Sequence, residues 1–144
     1  MELILWRHAD AQDGADDLAR RLTPAGEKQA AAMAKWLRAH LPREYTLLAS
    51  PAVRAQQTAA ALGSPIVTEK ALAPGASPKD IRRAAEKREG LVIIVGHQPD
   101  LGRAAARLVA DAAAEWPIEK GAIWWLSGDQ PARIKAVVSP DLLL

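Results

Sequence analysis

One stretch of the chain constrains the fold more than any other. The run LVIIV, at residues 91–95, is the most apolar in the protein and has no polar residue at alternate positions. A continuous run of branched aliphatic residues predicts a strand that is buried on both faces. Such strands lie at the centre of parallel sheets that helices cover on either side. We therefore expect the chain to fold around this strand as a layered α/β protein.

The rest of the chain alternates short apolar runs with amphipathic stretches. Further strands are predicted at residues 2–6, 45–49, 65–68, 121–126 and 133–138, and helices at 24–40, 50–62, 78–88 and 96–113. Thr23 and Ser50 each precede a proline and are predicted to cap the helices that follow them. This order predicts a single three-layer α/β/α domain over residues 1–144, with a mostly parallel sheet and helices on both faces.

Composition excludes several classes of protein and site. The chain has no cysteine, so disulfides, thiolate nucleophiles and cysteine-based zinc sites are ruled out. The net charge is only +2 and no run of lysine and arginine occurs, which argues against a nucleic-acid partner. The first apolar run is interrupted by Arg7 and is too short for a signal peptide, and no segment has the length of a membrane span. We expect a cytoplasmic protein without a membrane partner.

Polar side chains follow three of the predicted strands. Arg7 and His8 end the first strand, Arg54 lies just beyond the second, and Gly96-His97 ends the LVIIV strand. Because the carboxyl ends of parallel strands share one edge of a sheet, we expect two imidazoles and at least two guanidiniums to surround one point. A cluster of cationic groups is costly to bury unless an anion neutralises it. A phosphoryl group, with several acceptor oxygens, fits that requirement.

Each of these residues also has an ordinary structural explanation. A single histidine at a strand end more often makes a structural hydrogen bond, and Arg7 alone could lie along the surface. Arg54 is unfavourably placed for the dipole of its own helix, which favours an external anion. His40, the third histidine, is predicted to be a surface residue near a helix end. The prediction of a phosphate site therefore depends on these residues meeting at one edge of the sheet, not on any one of them alone.

Four sequence blocks resemble one family in their order and spacing. They are RHA at residues 7–9, LTPAGEKQA at 22–30, SPAVRAQQTA at 50–59 and VGHQP at 95–99. Together they are similar to the histidine phosphatase superfamily, also called phosphoglycerate mutase-like, and most similar to its SixA branch of phosphohistidine phosphatases. The resemblance covers essentially the whole chain.

The resemblance implies roles for individual residues. His8 matches the nucleophile, Arg7 and Arg54 match the phosphate-binding arginines, and His97 matches the second catalytic histidine. Arg21 resembles a further phosphate-binding arginine of SixA-type members, with the adjacent Arg20 as the alternative. No cofactor and no metal are expected, because arginines beside two histidines repel cations.

Two positions depart from the family pattern. Ala9 stands where the family can have glycine, and we expect it to limit the approach of the backbone at that turn. Many members also carry an acid that protonates the leaving group, but the matching position here is Ala71, and Glu69 is out of register. The aspartates of the first loop remain unassigned and are predicted to be solvated; they are Asp10, Asp13, Asp16 and Asp17.

The missing acid points to a class of substrate. An alkoxide leaves poorly without a proton donor, whereas the imidazole of phosphohistidine leaves readily because its ring is protonated near neutral pH. The short loops also predict a shallow, open site that admits the surface of a folded protein.

The predicted function is therefore a metal-independent phosphatase that removes phosphate from phosphohistidine on a protein, through a phosphohistidine intermediate on His8. We expect a monomer whose partner is a phosphorylated protein such as a histidine phosphotransfer domain or a phosphocarrier protein. One alternative is a phosphatase for a small phosphomonoester. Another is a module that binds phosphate or a phosphoprotein without turnover.

Overall fold

The protein, a computed structural model, is described over all of residues 1–144. Its six strands are β1 (Glu2–Arg7), β2 (Thr46–Ala49), β3 (Val67–Thr68), β4 (Leu91–Gly96), β5 (Ile123–Ser127) and β6 (Arg133–Val138). Its four α-helices are α1 (Pro24–His40), α2 (Val53–Ala60), α3 (Pro78–Glu86) and α4 (Asp100–Ala110). The strands form one sheet in the order β3-β2-β4-β1-β5-β6. The first four are mutually parallel and β5 is antiparallel to both neighbours, which confirms the predicted α/β fold.

The core lies on both faces of the sheet, and β4 contributes to each. Its residues are all buried. Val92 and Ile94 pack in a cluster with residues of α3 and α4. Ile93 and Val95 pack in a second cluster with residues of α1 and α2. Alternate side chains of a strand point to opposite faces, so a strand covered by helices on both sides must be apolar at every position.

The predicted side-chain cap forms at the start of α1 but not at the start of α2. Thr23 caps α1 as predicted, with its Oγ1 accepting a hydrogen bond from the Gly26 N–H at 3.0 Å. The prediction that Ser50 caps α2 is wrong, because that helix begins at Val53 with no side-chain cap. The backbone N–H of Ser50 still pairs with the Val95 carbonyl of β4, so the chain turns into the helix only afterwards.

The other boundaries differ from the prediction by a few residues. Helix α4 ends at Ala110 rather than near residue 113, because Asp111 adopts a left-handed conformation with φ of 49°. Strand β5 begins at Ile123, two residues later than predicted. None of the helices combines the length and apolarity that crossing a bilayer requires.

The loop between β1 and α1 is held tightly against the start of α1. The Thr23 N–H donates to the Asp10 carbonyl at 3.0 Å, and the Thr23 hydroxyl donates to the Asp10 carboxylate at 2.8 Å. A Cβ atom at Gly26 would lie 2.0 Å from the Asp10 carbonyl oxygen, so only glycine permits this contact. The loop is therefore positioned over the carboxyl edge of the sheet.

Candidate active site

The carboxyl ends of β1, β2 and β4 bring the predicted basic residues together. Arg7 pairs with Gly96 across the sheet, and the His8 N–H donates to the Gly96 carbonyl at 3.1 Å. The ring centroids of His8 and His97 are 5.3 Å apart. Arg54 is almost wholly buried beside them, 3% exposed. Two imidazoles and two guanidiniums thus surround one point at one edge of the sheet.

His8 is held as a neutral imidazole with a defined tautomer. Its Nδ1 lies 2.8 Å from the Ala9 carbonyl oxygen, which can only accept, so Nδ1 carries the hydrogen and Nε2 the lone pair. Burial is the main cause that lowers the pKa of His8 to about 4; the Ala9 hydrogen bond opposes it, and the charges of Arg54 and Arg7 add to it. A neutral ring with a free Nε2 is the form that a nucleophile requires.

Ala9 is accommodated without loss of backbone contacts. Its carbonyl reaches His8, and its N–H donates to the Thr58 hydroxyl at 3.0 Å. The methyl group is buried in a small cluster with Leu22 and Ala30. The side chain thus points into apolar contacts, while both backbone groups of Ala9 are hydrogen-bonded.

Asp17 joins two arginines at the rim of the site. It begins a short 3-10 helix, Asp17–Ala19, in the loop between β1 and α1. Arg54 donates through Nη1 to its carbonyl at 2.6 Å and through Nη2 to its carboxylate at 3.1 Å, and Arg20 donates to the other carboxylate oxygen at 3.1 Å. Burial would raise the pKa of Asp17, but these hydrogen bonds hold it below the usual range. The prediction that this aspartate is merely solvated is wrong.

The structure places Arg20, rather than Arg21, beside the cluster. The Arg21 side chain is exposed and makes no hydrogen bond or ion pair. Arg20 is partly buried, also donates to the Gln12 carbonyl at 3.1 Å, and its charge contributes to the lowered pKa values of His8 and His97. Neighbouring side chains of an extended segment point to opposite sides, so only one of two adjacent arginines can face the site.

His97 has one nitrogen bonded and one without a partner. Its Nε2 lies 2.8 Å from the Ser50 hydroxyl oxygen, a contact that the motif analysis missed because Ser50 was interpreted as a helix cap. Burial, followed by the charges of His8 and Arg54, lowers the pKa of His97 to about 3, against an opposing effect of Asp17. The ring is therefore neutral in the free protein.

Three buried side-chain nitrogens have no hydrogen-bond partner within the protein, and all three belong to this cluster. They are Arg7 Nε, Arg54 Nε and His97 Nδ1. Buried polar groups in folded proteins are nearly always paired, so three together mark a place built for an external acceptor. The other Arg7 contact, from Nη1 to the Ile118 carbonyl at 2.8 Å, holds this side chain in place. A tetrahedral oxyanion supplies the acceptor oxygens that the two guanidinium nitrogens need.

The carboxylates near the site are already engaged as anions. Asp10 accepts hydrogen bonds from Lys120 at 2.9 Å and from Thr23, and these bonds lower its pKa. Glu69 lies 3.8 Å from Arg88 in an ion pair. Among the carboxyls with a shifted pKa, Asp100 alone has a raised value, from burial, but its carboxylate accepts the Gly75 and Ala76 N–H groups. Each of these carboxylates is therefore already engaged by hydrogen bonds or an ion pair.

Access to the imidazoles is narrower than the short loops suggest. Only 8% of His8 and 4% of His97 is exposed. The segment around Asp17 also contacts Arg54 through the hydrogen bonds described above. The site therefore suits a slender group that is inserted end-on, such as a phosphorylated side chain.

The sequence profile of the histidine phosphatase superfamily (branch 1) matches residues 3–74, and the chain belongs to this superfamily. An uncharacterised protein of Picosynechococcus is 34% identical, in an alignment that covers 100% of this chain and 94% of that protein. An uncharacterised protein of Mycobacterium tuberculosis is 37% identical over 100 residues. That match covers 65% of this chain but only 63% of the mycobacterial protein, just under two thirds of its length.

Solved structures relate the chain to the SixA branch within the superfamily. A protein histidine phosphatase SixA complexed with tungstate superimposes with a TM-score of 0.86 at 25% identity, over 100% of both chains. A protein assigned as the phosphohistidine phosphatase SixA of Nakamurella multipartitia gives a TM-score of 0.82 at 27% identity, over 96% of this chain and 95% of the other. The predicted resemblance to SixA-type proteins is confirmed.

Proposed function

We propose that this protein is a metal-independent phosphatase that hydrolyses phosphohistidine on a partner protein through a covalent phosphohistidine on His8. One observation carries the proposal. Three unpartnered buried nitrogens, the donors Arg7 Nε and Arg54 Nε together with His97 Nδ1, belong to the cluster in which His8 is held neutral. A phosphoryl group would satisfy these donors while its phosphorus faces the lone pair on His8 Nε2.

The first chemical step transfers the phosphoryl group to His8. The His8 Nε2 lone pair attacks phosphorus in line with the leaving nitrogen, so one N–P bond forms while the substrate N–P bond breaks. The leaving ring already carries a proton on its other nitrogen and departs as neutral imidazole, so no carboxylic acid is required. The arginines and His97 stabilise the charge on the equatorial oxygens. His8 keeps its Nδ1 hydrogen bond to Ala9 throughout.

The second step regenerates the enzyme. Water attacks the phosphorus of phosphohistidine on His8, the P–N bond breaks, and inorganic phosphate leaves. The water gives one proton to solvent, and Nε2 recovers its lone pair. In this step too the leaving group is an imidazole, so both halves of the reaction can proceed without a dedicated acid. This agrees with a site whose nearby carboxylates are held as anions by Lys120, Arg54 and Arg20.

The substrate proposal also draws on the comparison. The related SixA structure holds tungstate, a tetrahedral oxyanion, and we propose that this chain binds phosphate in the same way. A histidine phosphotransfer domain or a phosphocarrier protein can present a single phosphohistidine side chain to the narrow opening above His8. We further propose that the protein acts as a cytoplasmic monomer.

A panel of phosphorylated substrates tests the substrate class. A phosphorylated histidine phosphotransfer domain, a phosphocarrier protein, p-nitrophenyl phosphate and a sugar phosphate are incubated with the protein in EDTA, and phosphate release is measured. We expect the phosphohistidine proteins to be the preferred substrates, with activity retained in EDTA. Rapid turnover of the sugar phosphate alone would instead support the alternative of a small-phosphomonoester phosphatase.

Trapping of the intermediate tests the mechanism. After a brief reaction with 32P-labelled phosphoprotein and alkaline denaturation, we expect the label on this chain as acid-labile, base-stable phosphohistidine. His8→Ala should abolish the label. His40→Ala is the matched control, because His40 is exposed and stacks on Trp36 at the end of α1, and it should label normally. Binding of the phosphoprotein without any label or release would support the non-catalytic alternative.

A further inference from the structure

We propose that Ser50 is a positioning residue that holds neutral His97 in the tautomer with its hydrogen on Nδ1. In that tautomer His97 presents a donor, rather than a lone pair, at the nitrogen that has no protein partner. The catalytic meaning of this arrangement rests on the proposed function, but the tautomer itself is a property of the resting protein. Neither the sequence motifs nor the family comparison assigns a role to this serine.

The hydrogen bonds of the Ser50 hydroxyl determine which way its proton points. Its oxygen accepts the backbone N–H of Ala52 at 3.2 Å and has His97 Nε2 at 2.8 Å. A hydroxyl has one hydrogen to donate, and His97 Nε2 is the acceptor within reach in these contacts. If the hydroxyl donates to Nε2, that nitrogen must carry the lone pair, and the single hydrogen of the neutral ring is on Nδ1.

The opposite tautomer conflicts with the ligand that the site is built for. With the hydrogen on Nε2, the ring would donate to Ser50 and direct the Nδ1 lone pair at an anionic oxygen. Two lone pairs facing each other in a buried space are repulsive, whereas an N–H facing the oxygen is a charge-assisted hydrogen bond. Arg54 Nε and Arg7 Nε are donors at the same place, so a third donor at His97 completes a uniform set.

The backbone keeps Ser50 in the position that this role requires. Its N–H donates to the Val95 carbonyl at 3.0 Å, and its carbonyl accepts the Gln56 side-chain amide at 2.8 Å. The residue is completely buried, 0% exposed. Strands β2 and β4 are adjacent and parallel, with Ala49 opposite Val95, so Ser50 comes next to Gly96, the residue before His97. Ser50 is thus fixed by the sheet rather than by the helix that it precedes.

The tautomer can be measured directly in the wild-type protein. With 15N-histidine labelling, long-range 1H–15N correlation spectra distinguish a protonated Nδ1 from a protonated Nε2. We expect His97 in phosphate-free protein at pH 7 to show the hydrogen on Nδ1. A hydrogen on Nε2 would overturn the proposal, whatever the variants do.

The variant Ser50→Ala tests the consequence for catalysis. We expect a mixture of His97 tautomers and roughly a tenfold loss in kcat/KM, seen mainly in kcat because the donor matters most as charge develops on the phosphoryl oxygens. Ser77→Ala is the matched control: Ser77 caps α3 away from the site, so this variant should lose stability while the His97 spectrum stays unchanged. An unchanged tautomer in Ser50→Ala would contradict the proposal.

Failure of this inference can be told apart from failure of the proposed function. The tautomer measurement needs no turnover, and a titration with inorganic phosphate reports on binding alone. If the wild-type protein carries the hydrogen on Nδ1 but forms no phosphoenzyme, the positioning role of Ser50 stands and the proposed phosphatase activity is wrong. If a fully active enzyme carries the hydrogen on Nε2, the phosphatase activity stands and the role of Ser50 is wrong.

Discussion

The imidazole of His8 is buried among cations, and the proposed mechanism requires its Nε2 to react as a nucleophile. Burial is the main reason why protonation of the ring is unfavourable, and the charges of Arg54 and Arg7 add to its effect. The backbone carbonyl of Ala9 holds the remaining hydrogen on the nitrogen that does not react. Burial and the Ala9 carbonyl therefore prepare His8 for the proposed nucleophilic role, without a neighbouring carboxylate to accept its proton.

A pH titration of the His8 ring measures how far its pKa is lowered in the folded protein. By NMR, we expect the ring in the folded protein to titrate with a pKa of about 4, so that it stays neutral throughout the range from pH 7 to pH 5. The same histidine in urea-unfolded protein should titrate near the usual histidine pKa of 6.5, which serves as the internal control. A folded-state midpoint near that unfolded value would show that the arginines and burial do not act as inferred.

The adjacent arginines at positions 20 and 21 make a matched pair of test sites. Arg20→Ala removes a donor held by Asp17 and a charge that acts on both histidines, so we expect a loss of roughly tenfold or more in kcat/KM. Arg21→Ala changes an exposed side chain without hydrogen bonds, and we expect less than a twofold effect. The measurement is kcat/KM of both variants from steady-state rates on a phosphohistidine protein. The reverse ranking of the two variants would restore Arg21 as the phosphate ligand.

The loop between β1 and α1 connects the start of α1 with the candidate active site. Asp10 at its beginning is bonded to Thr23 at the start of α1, and Asp17 in its middle is bonded to Arg54 of α2. Two helices on one face of the sheet thus determine where the arginines of the loop lie. A change at the start of α1 is therefore expected to shift the arginines at the candidate phosphate site.

Replacement of Gly26 by alanine tests this coupling. The change gains about 1 kcal/mol of helix propensity, but the new methyl group would lie 2.0 Å from the Asp10 carbonyl oxygen. Such overpacking costs about 1–3 kcal/mol, so we expect a net loss in the free energy of unfolding together with reduced activity. Ala31→Gly, at an exposed position of the same helix, calibrates the propensity effect and should leave activity unchanged. Higher stability and full activity in Gly26→Ala would refute the close contact.

The two histidines link the stability of the whole protein to pH. In the folded state their pKa values are lowered to about 4 and about 3, so between pH 6.5 and those values the unfolded chain binds more protons. The free energy of unfolding should then fall as pH falls, with the full contribution present only above pH 6.5. Between pH 7.5 and pH 5 the loss is expected to be about 2 kcal/mol for each histidine.

Urea unfolding at the two pH values provides the measurement. His8→Gln, which cannot be protonated, should show about half of the pH dependence of the wild type. A bound anion such as phosphate should raise the folded-state pKa values of the two imidazoles and so reduce the loss at pH 5. Equal or greater stability of the wild-type protein at pH 5 would contradict the burial of two neutral histidines.

The sequence-based predictions are accurate where local sequence determines the structure and wrong where distant contacts determine it. The central strand and helix α1 were predicted well, because a fully apolar run and a Thr-Pro helix start are strong local signals. The start of α2 was not, because the backbone of Ser50 is engaged by β4, a strand more than 40 residues away in the chain. The aspartates of the first loop were interpreted as solvated because nothing in their local sequence indicates a partner.

The sequence alone determined the layered architecture and the convergence of His8, His97, Arg7 and Arg54 at one sheet edge. These features depend on local periodicity and on the rule that parallel strands end together. Tertiary structure alone decided that Arg20 rather than Arg21 lies beside the histidines, that Asp17 joins two arginines, and that Ser50 contacts His97. Such contacts depend on the register of segments distant in the chain, and side-chain directions there are known only once those segments have packed.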